Sequence, residues 1–75
     1  MKNKMIKINS LTDLSNFIVE ASKVKGDVLA YGSRFTADAK SFVDMMSVNL
    51  NYGARIEYPA DAKDFEKYIS QFEIY

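Results

Sequence analysis

The chain contains no cysteine, no histidine and no tryptophan, and only one proline and three glycines among its 75 residues. Without cysteine there are no disulfides, thiolate metal sites or thiol nucleophiles. Without histidine the commonest transition-metal ligand and the usual general base near neutral pH are missing as well. Net charge is also lacking: ten basic residues balance ten acidic ones, so there is no global pull toward nucleic acid or an anionic membrane. No apolar run approaches the ~20 residues that span a bilayer, and Met1–Lys7 is basic without the apolar stretch of a signal peptide. These absences point to a cytoplasmic protein that is not an enzyme, holds no metal or cofactor, and neither inserts into membranes nor binds nucleic acid.

What is present suits one small domain, residues 1–75. Hydrophobic residues make up 48% and aromatics 13%, five Phe and five Tyr. A chain of this length buries only about 60% of its unfolded surface, so these rings carry much of the core. There is no linker, internal repeat or low-complexity segment.

Alternation of Ile6 and Ile8 with Lys7 predicts a strand over Met5–Ile8. Ser10 with Asp13 resembles a capping box opening a helix over Leu11–Val24, with Leu11, Leu14, Phe17, Ile18 and Ala21 on one face. Lys23 and Lys25 favour its C-terminal end and Gly26 stops it. Val28–Tyr31 and Phe35–Ala37 read as strands joined by a two-residue turn at Gly32-Ser33. That turn sets Ala30 against Phe35 and Val28 against Ala37 on the core side, with Leu29, Tyr31, Arg34 and Thr36 opposite. Ala54, Ile56 and Tyr58 alternate with Arg55 and Glu57 in a fourth strand, closed by Pro59. Asp61 is placed to cap a last helix with Phe65, Tyr68, Ile69 and Phe72 buried.

The short helix over Ser41–Val48 is apolar on two sides. At about 100° per residue, Met45 and Val48 fall on one side and Phe42, Val43 and Met46 on the other. A protein this small cannot bury both. Asn49, Asn51 and Gly53 end the segment. The resulting order, β-α-β-β-α-β-α, predicts an α+β open-faced sandwich: four antiparallel strands covered on one face by three helices.

The run from Ala39 to Val48, with its Lys40-Ser41 pair, Met45-Met46 and second Ser47, resembles a segment of HPr, the histidine-containing phosphocarrier family of the bacterial sugar phosphotransferase system. Asn51-Tyr52-Gly53-Ala54-Arg55-Ile56 is similar to the family's Gly-Ala-Glu-Ile strand start, and Ala21-Ser22-Lys23 and Asp27-Val28 fall at family spacing. The likeness runs without a gap from Ala21 to Tyr58, about half the chain. It implies the HPr-like fold. It also implies a partner-docking patch at Phe42, Val43 and Met46, and a regulatory phosphorylation position at Ser41.

The departure concerns the phosphate site. In the family a histidine at the start of the first helix accepts phosphate from enzyme I and a nearby arginine helps hold it. Here Ser10 takes the histidine's place, Thr12 the arginine's, and Asp13 that of the following proline. A hydroxyl has no nitrogen to form a phosphoramidate, and Asp13 repels a phosphoryl group. The chain therefore resembles a divergent HPr without phosphocarrier activity, a protein-interaction or regulatory module tied to the sugar phosphotransferase system. The alternative is a phosphocarrier using a non-histidine acceptor. A third reading, Tyr31 and Arg34 stacking on bases across the open sheet face, has neither net positive charge nor an aromatic-basic run behind it.

Overall fold

The computed structural model describes residues 1–32, 35–48 and 53–74. Among these residues it is an α+β arrangement of four strands and three helices: β1 (Lys2–Ile6), α1 (Leu11–Ser22), β2 (Leu29–Tyr31), β3 (Thr36–Asp38), α2 (Phe42–Met46), β4 (Ala54–Tyr58) and α3 (Lys63–Ile69), followed by a 3₁₀ turn at Ser70–Phe72. The strands form one open antiparallel sheet in the order β1-β4-β2-β3.

One hydrophobic cluster joins the inward residues of the sheet to the helices. Ile6, Ala30, Ala37, Ala54, Ile56 and Tyr58 meet Leu14, Phe17, Ile18 and Ala21 of α1, Met45 of α2, and Phe65 and Ile69 of α3. Its centre is aromatic. The Phe65 ring lies 5.7 Å from Phe17 and 5.8 Å edge-on from Tyr58, geometries that ring quadrupoles favour. Tyr68 and Phe72 are half-buried at its margin, with rings 5.7 Å apart, so the expected four-residue stripe of α3 has only Phe65 and Ile69 fully inside. Gly26 adopts φ +96° just after α1, a conformation that a side chain rarely tolerates.

Several sequence expectations need correction. The first strand is Lys2–Ile6, not Met5–Ile8; Ile8 is buried beyond its end. Lys2 and Lys4 share the inward parity of Ile6 and so interrupt the apolar alternation. The Lys2 side chain stays 47% exposed and pairs with Glu66 at 3.1 Å, and the half-buried Lys4 pairs with Glu73 at 3.2 Å. Helix α1 ends at Ser22 rather than Val24, and Leu11 is exposed at its first position. Beyond that end, Lys40 donates to the Val24 carbonyl at 2.7 Å, while Lys23 pairs with Glu20.

The β2–β3 register is shifted by two residues from the expected one. Ala30 faces Ala37, not Phe35, and Tyr31 faces Thr36. Gly32 N donates to the Phe35 carbonyl at 2.9 Å, closing the hairpin outside the expected Gly32-Ser33 turn; Ser33 and Arg34 lie outside the described residues. A two-residue shift keeps every side chain on its face. Ala30 and Ala37 therefore stay inside, but Phe35 moves to the hairpin rim and is 45% exposed rather than core. The second helix is Phe42–Met46, with Ser41 as its cap rather than its first residue. The expected terminators Asn49 and Asn51 lie outside the described residues. Helix α3 has Ala62 at its N-cap with no side-chain cap, so Asp61 does not play that part; the Asp61 carbonyl accepts from Lys63 N instead.

Candidate functional site

The start of α1 is an ordinary capped helix terminus. Ser10 is extended (φ −122°, ψ 137°), and its Oγ accepts from Asp13 N at 3.3 Å. The Ser10 carbonyl accepts from Leu14 N at 3.0 Å. Thr12 is exposed, and the Asp13 carboxylate supplies the negative charge that the helix dipole favours in its first turn. A phosphoryl group here would compete with the Ser10 hydroxyl for the Asp13 amide and meet the Asp13 carboxylate as a like charge.

Helix α2 opens the same way. Ser41 is extended and its Oγ accepts from Asp44 N at 3.3 Å. Below the helix, Met45 is fully buried and Val48 nearly so. Above it Phe42, Val43 and Met46 are 43%, 78% and 56% exposed. The anchoring of Met45 fixes which side faces out. Val43 and Met46, two and one positions away, are turned from it by about 160° and 100°, and Phe42, three positions away, by about 60°. The order of exposure follows those angles. A second tie joins α2 to the rim of the sheet: Asp38 N on β3 donates to Asp44 Oδ2 at 3.3 Å. Leu11, Val19, Phe35 and Met5 are also exposed apolar side chains, but α2 gathers three within five residues.

The open face of the sheet is polar and internally engaged. Arg55 lies 4.5 Å over the Tyr31 ring, and the Tyr31 hydroxyl donates to Glu57 at 3.2 Å. Desolvation first, then that hydrogen bond, hold the Tyr31 phenol above its ordinary pKa. Arg34, the other residue of the base-stacking reading, lies outside the described residues. The ring that would stack on a base is already covered by the protein's own guanidinium.

A shallow cleft of about 470 Å³ lies between the end of α1 and the start of α3. Its lining mixes Glu20, Asp61 and Asp64 with Lys23, Lys25 and Lys63. Among the described residues no three potential metal ligands cluster anywhere, and no helix is long and apolar enough to cross a membrane. The remaining polar network is structural. Tyr58 OH donates to Glu66 at 2.7 Å and Lys2 pairs with the same carboxylate. Burial, then the Glu66 bond, raise the Tyr58 phenol well above its usual range, while the Tyr58 and Lys2 hydrogen bonds hold Glu66 below its own.

No protein-family model matches the chain, and neither a curated protein nor a solved structure gives a match. Of the residues singled out from sequence, Phe42, Val43 and Met46 lie together on one exposed side of α2, with Ser41 at its cap. Ser10 and Thr12 sit at the other helix start. Sequence reading missed Phe35 as a surface residue and missed the Asp38–Asp44 contact. Only the hairpin register could have revealed the first, and a tertiary contact carries no local signal.

Proposed function

We propose that this chain is an HPr-like protein without phosphocarrier activity, working through protein contacts made by Phe42, Val43 and Met46. The observation that carries the reading is the two-sided α2: one side is locked into the core by Met45, while the other presents three large apolar side chains to solvent. Exposed Phe and Met grouped this closely favour association, and Met adapts to varied partner surfaces. The α+β fold is compatible with the HPr-like sandwich. Ser10, already spent on capping α1 beside Asp13, supports the absence of phosphate relay. The proposed setting is the cytoplasm, as a regulatory module tied to the sugar phosphotransferase system. Phosphate on Ser41 would place added negative charge next to Asp44 and beside the apolar patch, weakening an apolar contact by desolvation.

The test has two arms. Incubation with enzyme I and phosphoenolpyruvate, read by intact mass, is expected to give no phosphate adduct, and Ser10→His alone is expected not to restore one. A stoichiometric adduct on the natural chain would instead establish the non-histidine phosphocarrier. In the second arm, proteins retained by the immobilised natural chain are compared with those retained by Phe42→Ala and Met46→Ala. Loss of the same partners from both variants supports docking at α2; an unchanged set removes it.

A further inference from the structure

The surroundings of the α2 patch carry a charge pattern that narrows what it binds. Asp38 and Asp44 stand beside each other, both exposed. Their backbone ties use Asp44 Oδ2 as acceptor for Asp38 N and Asp38 Oδ1 as acceptor for Lys40 N at 2.9 Å. Among the described residues neither carboxylate has a cation within 4.0 Å. The adjacent Lys40 does not neutralise them, because its ammonium turns away to the Val24 carbonyl. Among the described residues, the edge of α2 next to Val43 is thus locally acidic on a chain of zero net charge.

A further exposed apolar side chain, Phe35, lies near the end of the helix. Phe35 has the inward parity of Ala37 and projects on the helix-bearing side of the sheet, at the hairpin rim. Its Cε1 atom and Val48 Cγ1 lie 3.9 and 4.0 Å from the position a β-carbon on Gly32 would occupy. Phe35 therefore flanks the C-terminal end of α2, two residues past Met46. Four partly exposed side chains amount to a few hundred Å², well short of the roughly 800 Å² per partner of a stable interface between two folded copies.

Resting on the reading of α2 as a docking surface, we propose that Phe35, Phe42, Val43 and Met46, edged by Asp38 and Asp44, bind a short amphipathic helix of a partner protein whose apolar side is flanked by lysine or arginine. Apolar side chains at helical spacing would cover the patch, and the flanking cations would meet the two carboxylates. The same carboxylates disfavour an anionic lipid surface or a nucleic-acid backbone at this face.

The probe is a synthetic leucine–lysine peptide with leucines at helical three-four spacing, and a twin with glutamate in place of every lysine. Each is titrated into the ¹⁵N-labelled full chain. The leucine–lysine peptide is expected to shift the amides of Phe35, Phe42, Val43, Asp44 and Met46, to weaken as salt is added, and to bind about tenfold more tightly than its acidic twin. Asp44→Asn keeps an oxygen for the Asp38 N–H, so it is expected to reduce that preference with little change in melting temperature. Phe35→Ser is expected to weaken the lysine peptide about tenfold. Equal binding of the twins at α2 overturns the charge selection while leaving α2 a docking surface. Shifts centred on Tyr31 and Arg55, or binding that ignores Phe35→Ser, overturn the extended patch. Stronger binding to anionic vesicles than to the peptide, lost in Phe42→Ala, overturns the protein partner in favour of a membrane.

Discussion

Ser10 and Ser41 open their helices with the same four-residue pattern, Ser-x-x-Asp, and the same geometry: an extended serine whose Oγ takes the amide of the aspartate at 3.3 Å. Beyond the caps the two segments part. Helix α1 runs for twelve residues and puts Leu14, Phe17, Ile18 and Ala21 into the core. Helix α2 runs for five, buries Met45 alone, and leaves its other large side chains in solvent. A shared start thus fixes where a helix begins and nothing about what it does. The apolar residues after the cap, and how many neighbours exist to cover them, separate a structural helix from a presenting one.

The comparison is most severely tested at the core. Phe65→Ala removes the ring that ties α3 to Phe17 and Tyr58, and is expected to cost about 3–5 kcal/mol by urea denaturation. An almost unchanged midpoint would mean that α1 is not held as described. Next comes the contrast within α2. Met45→Ala is expected to lose about 2–5 kcal/mol, whereas Phe42→Ala, Val43→Ala and Met46→Ala should each stay within about 0.5 kcal/mol. If Phe42→Ala is the damaging change, the helix is rotated and presents a different side.

The caps themselves come third. Ser10→Ala and Ser41→Ala should each cost about 1 kcal/mol or less of local helix stability. Hydrogen exchange should find the first spread through α1 and the second confined to α2; the reverse pattern would dissolve the distinction between the two helices. The smallest effect is in pH. The Glu66 carboxyl is held below its ordinary value, so its contribution is present above the unfolded pKa and lost as pH falls through the folded one. Tyr58 is raised, so its contribution is present below pH 10.0 and declines as pH rises beyond it. Glu66→Gln should flatten the acid limb of a stability–pH curve while leaving the α2 surface variants unaltered; an acid limb identical to the natural chain would remove Glu66 from this role.

Strong local signals read correctly. The alternation of Ala54, Ile56 and Tyr58 gave β4, and the 100° rotation between Met45 and Met46 separated the inner from the outer side of α2. The failures share a cause, since each depended on a partner distant in sequence. Lys2 and Lys4 look unfit for inward strand positions until Glu66 and Glu73 are placed beside them. Gly32-Ser33 has good turn chemistry, but the pairing of Ala30 with Ala37 and of Val28 with Ala39 decides where the hairpin closes. Phe35 looked like core because its parity is right; coverage gives out before its position is reached. For the candidate site, the apolar trio was legible, and the acidic rim required the fold to bring β3 to α2.

The first strand has a further consequence, for the order in which the molecule can assemble. Among the described residues, the backbone and ion-pair partners of β1 come from late in the chain: β4 along one edge, the Phe72–Ile74 segment along the other, and the carboxylates of Glu66 and Glu73 on its lysines. Such distant pairings require a large loop to close before any contact rewards it, which slows folding. During synthesis, then, β1 emerges before the other three strands and waits longest for its partner. The β2–β3 hairpin and α1 can form as soon as they emerge, whereas Ile6 stays unpaired until Ala54 and the rest of β4 have been made.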